Sequence, residues 1–114
     1  MTGKLTTHVL DTAQGCPATG LTIELWSCDR ILKTVITNAD GRTDAPLLMN
    51  NEFTVGVYEL RFAVGDYFRK QFSDLPEPPF LDNVPLQFGI ADVTAHYHVP
   101  LLCSPWSYST YRGS

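Results

Sequence analysis

The chain is written largely in a two-residue period. Leu21, Ile23 and Leu25 alternate with Thr22, Glu24 and Trp26, and Tyr58, Leu60, Phe62 and Val64 alternate with Glu59, Arg61 and Ala63. Successive side chains of an extended strand point to opposite faces, so this pattern describes strands with one face in a core. Further runs of strand-forming residues fall at Leu5 to Leu10, Ile31 to Thr37, Leu86 to Ile90, His96 to Cys103 and Trp106 to Arg112. Breakers separate them: Gln14-Gly15-Cys16-Pro17, Thr19-Gly20, the turn Asn38-Ala39-Asp40-Gly41, and a loop with Pro76, Pro78 and Pro79. Only Asp66 to Phe72 reads as a helix, with Phe68 and Phe72 one turn apart and Asp66 suited to the first turn. The expectation is an all-β sandwich with one short α-helix, a single domain over residues 1–114, since 114 residues are too few for two cores.

Composition narrows the function classes. Hydrophobic residues at 44% and charged residues at 18% are ordinary for a globular domain and argue against disorder. The eight Lys and Arg residues are scattered singly against twelve Asp and Glu, so no nucleic-acid footprint is expected. No apolar run approaches the roughly 20 residues that span a bilayer, so no membrane partner is expected. Cys16, Cys28 and Cys103 are an odd set without a C-x-x-C spacing, which speaks against a disulfide framework or a cysteine metal site. The N-terminus leads into strand-like sequence without an apolar leader, and the expected compartment is the cytoplasm.

One strand departs from the half-buried pattern. In Val99-Pro100-Leu101-Leu102-Cys103 both faces are apolar, so both are expected to be covered. With one short helix available, a second copy of the chain is the more economical cover, a long loop folded across the sheet being the other.

All three histidines sit on expected strands. His96 and His98 share one face, His98 with Pro100 and Leu102; His8 shares a face with Thr6 and Leu10. A single strand histidine is more often structural than catalytic. His-x-His also suggests zinc, but without a placed third ligand no metal is expected. Arg42 follows the Asp40-Gly41 turn, as a solvated charge or as a forked donor to a planar, oxygen-rich ligand. The chain ends in Tyr111-Arg112-Gly113-Ser114, where Gly113 would let the last residue turn inward. There is no G-x-S-x-G elbow, Walker loop, dinucleotide fingerprint or H-E-x-x-H helix. If the chain is a catalyst, imidazole and guanidinium are its equipment, suited to activating a water and stabilising the resulting anion.

Four stretches together carry a family resemblance. Leu5-Thr6-Thr7-His8-Val9-Leu10-Asp11 resembles the N-terminal motif of the 5-hydroxyisourate hydrolases, the transthyretin-related proteins. Asp40-Gly41-Arg42-Thr43 is similar to their arginine motif. His96-Tyr97-His98-Val99-Pro100-Leu101-Leu102, running into Ser104-Pro105-Trp106-Ser107-Tyr108-Ser109-Thr110-Tyr111-Arg112-Gly113-Ser114, resembles their C-terminal signature. The match covers essentially the whole chain, and the terminal Tyr-Arg-Gly-Ser is very specific. Transthyretin itself shares Ser-Pro-aromatic-Ser-Tyr-Ser-Thr but lacks that ending and the histidines. Cys103 stands where an aliphatic residue is common in the family.

The resemblance implies a transthyretin-like sandwich of two four-stranded antiparallel sheets with one short helix. It further implies a homotetramer, a dimer of dimers, with active sites in the channel where dimers meet. The implied reaction is hydrolysis of 5-hydroxyisourate to 2-oxo-4-hydroxy-4-carboxy-5-ureidoimidazoline in urate degradation, with no cofactor. Carried over by position, His8, Arg42, His98 and Ser114 would be catalytic, with Tyr111 and Arg112 binding substrate. Either His98 or His8 would take the proton from water. The competing readings are a transthyretin-like carrier of a small aromatic ligand, whose tunnel His8, His98 and the polar tail would obstruct, and a passive scaffold, which gives no reason for these histidines.

Overall fold

The computed structural model describes residues 3–113. In chain order the strands are β1 (Lys4–Asp11), β2 (Cys16–Pro17), β3 (Thr22–Ser27), β4 (Arg30–Ile36), β5 (Leu48–Met49), β6 (Gly56–Ala63), β7 (Asn83–Ile90), β8 (His96–Cys103) and β9 (Tyr108–Thr110). Helix α1 (Val64–Gln71) lies between β6 and β7, and a short 3-10 turn covers Asn50–Glu52. One sheet has the order β4-β3-β6-β7, and the other β2-β1-β8-β9 with β5 also paired to β1. This is the expected sandwich of two sheets and one short helix.

The expectation of wholly antiparallel sheets needs one correction, because β1 and β8 run parallel in register from Lys4 opposite His96 to Asp11 opposite Cys103. That pairing joins the two ends of the chain, a connection no local pattern announces. A second difference is that the far edge of β1 is shared by β5 at Lys4 and Leu5 and by β2 at Leu10 and Asp11, giving five strands. Pairs this short leave no periodicity to read.

Burial follows the alternation. In β1, Leu5, Thr7, Val9 and Asp11 are buried while Lys4 is exposed and Thr6, His8 and Leu10 are half-buried. The core collects Leu21, Ile23 and Leu25, Leu60 and Phe62, Val84 and Leu86, and Val99, Leu101 and Cys103 from the opposed sheets. Asp11 is the one fully buried carboxylate among the described residues, and it is answered by the Gln14 backbone N–H at 2.9 Å, the Gln14 side chain at 2.8 Å and the Tyr67 hydroxyl at 2.8 Å. Burial and that bond to a carboxylate push the Tyr67 hydroxyl's pKa far up, so it stays a donor.

The helix begins at Val64, two residues before the expected start, at a buried residue that the alternation had assigned to the preceding strand, and ends at Gln71. Gly65 there lies against residue 82: an added Cβ would come within 3.0 Å of the Asp82 Cα. The last expected strand, Trp106 to Arg112, is paired only over Tyr108–Thr110. Ser104 closes a turn instead, its backbone N–H donating to Ser107 O at 2.9 Å while its hydroxyl accepts from the backbone of Trp106 and Ser107. Pro85 in β7 is compatible with that strand's place at a sheet edge, where a missing N–H breaks no ladder. Among the described residues no helix is long and apolar enough to cross a membrane.

Candidate active site

Three separate pairings bring the expected residues onto one sheet face. Residues directly opposite each other in neighbouring strands project to the same side. Across the parallel ladder, Thr6 stands opposite His98 and His8 opposite Pro100. On the other edge of β1, His8 forms an antiparallel bridge with Arg42, and beyond β8, His98 forms one with Gly113. The outer face of this sheet therefore carries Arg42, His8 and His98 in adjacent rows, with Gly113 completing the last. Ser114, the remaining expected catalytic residue, lies outside the described residues.

The Arg42 placement depends on a tight loop. The Asn38 side-chain oxygen accepts from the backbone N–H of Asp40 at 2.9 Å and of Arg42 at 3.2 Å, and Asn38 N–H donates to Arg42 O at 2.8 Å. Gly41 sits at φ 73, in the left-handed region, and its carbonyl accepts from Val9 N–H at 2.8 Å. A Cβ on Gly41 would lie 2.5 Å from Val9 O, so glycine is required for conformation and for space. Gly113 is needed for another reason than the expected turn. Its N–H donates to His98 O at 2.8 Å, and a Cβ there would lie 2.6 Å from His98 Cδ2. The tail backbone is packed onto the His98 ring.

Sequence reasoning missed Thr6 as a contact residue. Its hydroxyl is 2.6 Å from His96 Nε2 and 2.7 Å from His98 Nδ1, and the two imidazole centroids are 6.0 Å apart. The signal was present in the shared outward parity of Thr6, His96 and His98, but only the parallel pairing brings them together. Thr7, on the opposite face, donates instead to Val99 O at 2.7 Å and helps hold β1 to β8.

The electrostatics favour neutral imidazoles. The pKa of His98 is lowered first by burial, then by Arg42, His96 and His8. That of His8 is lowered by burial and Arg42, with Asp40 opposing them. His96 is lowered by burial and by Lys4. A hollow of about 380 Å³ opens here, lined among others by Lys4, Thr6, Arg42, Thr43, His96 and His98. A neutral imidazole beside a guanidinium can take a proton from water and leave the resulting anion a cationic partner.

Tyr111 and Arg112 are not brought to this cluster. Their side chains line a different, more apolar hollow of about 570 Å³ with Leu86, Phe88, Tyr97 and Val99. The Arg112 guanidinium sits 4.1 Å above the Tyr97 ring, whose residue faces the core. The two-faced strand holds as expected on its inner side, where Val99, Leu101 and Cys103 are buried; on the outer side Pro100 is buried within the protomer and Leu102 half-buried.

Residues 5–113 match the family described as the HIUase/Transthyretin family. The 5-hydroxyisourate hydrolase of Mesorhizobium japonicum is 63% identical across 98% of this chain and 93% of its own length. The solved structure of Klebsiella pneumoniae 5-hydroxyisourate hydrolase superposes with a TM-score of 0.79 at 33% identity, covering 98% of this chain and 94% of that one. A crystal structure of (S)-allantoin synthase superposes with a TM-score of 0.93 at 49% identity over 99% of this chain, which spans only 44% of that longer chain.

Proposed function

The chain belongs to the HIUase/Transthyretin family, and on that premise we propose that it hydrolyses 5-hydroxyisourate to 2-oxo-4-hydroxy-4-carboxy-5-ureidoimidazoline, as a single domain over residues 1–114. The observation that carries this reading is the full-length likeness to proteins named 5-hydroxyisourate hydrolase, at 63% identity for the first of them. The convergence of His8, Arg42 and His98 on one sheet face supports it chemically. A carrier of apolar ligands would have little use for two imidazoles and a guanidinium in its tunnel.

In the mechanism, water attacks the carbonyl of the cyclic amide while His98 or His8 takes its proton. Both are held neutral by burial and by Arg42, so each is ready to act as a base at neutral pH. Arg42 binds the substrate's oxygens and offsets the charge that develops on the opening amide. Ser114 orients substrate or water by hydrogen bonds. Arg112, stacked over the Tyr97 ring, helps hold the tail so that Gly113 stays beside His98, and Tyr111 and Arg112 border the substrate from the adjoining hollow.

The working molecule is a homotetramer, a dimer of dimers. Supporting this, the outer face of the β1–β8 sheet carries Leu10, Pro100 and Leu102 beside the polar cluster, and β7 and β9 each end a sheet. A cytoplasmic location fits Cys16, Cys28 and Cys103, all of which are free thiols.

The test is the ultraviolet decay of 5-hydroxyisourate, generated in place from urate by urate oxidase, with and without the protein. Faster decay with the intact chain, lost on removing residues 111–114, is the expected result. Unchanged decay with a correctly assembled oligomer overturns the hydrolase reading.

A further inference from the structure

We infer that the Thr6 hydroxyl is a proton relay between His98 and His96, making Thr6 and His96 positioning residues for the base chemistry of His98. Neither Thr6 nor His96 enters the machinery set out above, and the rate-based part of the inference rests on the hydrolase reading.

Thr6 Oγ1 lies within hydrogen-bond distance of two ring nitrogens, His96 Nε2 at 2.6 Å and His98 Nδ1 at 2.7 Å. A hydroxyl has one hydrogen to give, so with both rings neutral one nitrogen must accept from Thr6 and the other must donate to it. The tautomers of the two histidines are thereby locked together. When His98 Nδ1–H donates to Thr6, the Thr6 hydrogen goes to His96 Nε2, and His98 Nε2 is left with a free lone pair, the form a general base needs. When the direction reverses, His98 Nε2 carries the hydrogen and is a general acid.

Hydrolysis of an amide needs both forms in turn. His98 Nε2 first accepts a proton from the attacking water as the O–C bond forms. The Nδ1 proton of His98 then passes to Thr6 Oγ1, and the Thr6 hydroxyl proton passes to His96 Nε2. His98 is now neutral with its hydrogen on Nε2, and His96 carries the positive charge. As the ring C–N bond breaks, Nε2–H is delivered to the leaving nitrogen while the two relay protons return. The net transfer is one proton from water to the amide nitrogen, and all three side chains end as they began.

The surroundings set the direction of the charge. Positive charge on His98 is opposed by Arg42 and by the neighbouring His8 and His96, whereas Lys4 is the one other cation acting on His96. His96 is also exposed to solvent, while His98 is half-buried. Asp44 lines the same hollow, its carboxylate accepting from the Asn38 side chain at 3.0 Å. Charge is better accommodated at the outer end of the relay.

The experiment pairs kinetics with ring NMR on the full chain. Thr6→Val keeps the shape and removes the hydroxyl; it should lower kcat by roughly ten- to a hundredfold with KM little changed, and Thr6→Ser should restore most of the rate. His96→Phe should cost a similar factor, and the double variant Thr6→Val/His96→Phe no more than either alone, because the two act as one unit. Independent, multiplying losses, or a Thr6→Val enzyme with unaltered kcat, overturn the relay. Nitrogen-15 spectra of the free protein decide the matter without turnover: Thr6→Val should change the tautomers of His96 and His98 together. Unchanged ring tautomers overturn the relay even if the protein hydrolyses 5-hydroxyisourate, and a coupled change upholds it even if the hydrolase reading fails.

Discussion

At the residue scale the site is defined by which side chains hold protons. His8→Ala and His98→Ala should each lower kcat about a hundredfold or more if that ring carries the proton, with the oligomer intact by sedimentation. Near-normal turnover in either variant removes that histidine from the mechanism. All three histidines have lowered pKa values, so the neutral forms persist below the usual histidine value of about 6.5 and the rate should hold before falling at more acid pH. Stability follows with a definite sign. In the unfolded chain these rings take up protons near pH 6.5, whereas the folded protein does so only at lower pH; stability present above that value is therefore lost as pH falls through the lowered values. A rise in melting temperature between pH 7 and pH 5 would contradict the histidine assignments. Cysteine chemistry should divide equally clearly. Burial and Asp11 push the Cys103 thiol up to about 12, while Cys28 is exposed, so an alkylating reagent at pH 8 should label Cys28 and leave Cys103 untouched in the folded protein.

At the scale of elements, β1 is the organising strand. Its inward residues were readable from alternation, and its outward parity correctly grouped Thr6 with His8. The partners of that outward face were not readable, because β8 lies some ninety positions away and pairs in the less common parallel sense. The His8–Arg42 bridge was equally hidden, being one residue long. It does leave a test in Gly41: Gly41→Ala meets both the left-handed conformation and Val9 O, and should displace the Arg42 loop, raising KM while most of the core survives. Gly113→Ala should disturb the His98 ring and lower kcat without affecting the melting temperature by more than a few degrees. Behind the site, Asp11 joins β1 to α1 through Tyr67. Asp11→Ala strands the buried Tyr67 hydroxyl and should cost about 2–4 kcal/mol in denaturant unfolding; a change below about 0.5 kcal/mol would mean that water replaces the carboxylate.

At the scale of the whole molecule, one protomer presents its reactive groups on an open sheet face. The proposed tetramer would close that face, and Leu102, half-buried beside Leu10, is the apolar residue whose replacement by a charged one tests it. Leu102→Glu should sediment as a smaller species than the parent chain and lose turnover in parallel. A variant that keeps the parent's mass and rate would show that the oligomer, if present, uses another surface.

The longer strands, the sandwich class and the chemical nature of the site followed from the sequence because period-two alternation and turn residues act locally, over a few neighbours, whereas the two-residue strands β2 and β5 left no such pattern. The motifs around His8, Arg42 and His98 likewise identified the family, since each is a contiguous run. Tertiary structure alone decided that β1 and β8 are parallel, that Thr6 touches two imidazoles, and that Tyr111 and Arg112 turn away from the cluster they were expected to join. The physical reason is the same in each case. Side-chain parity along a strand is set by the chain's own geometry, whereas register and partner are set by how two distant segments bury their inner faces together.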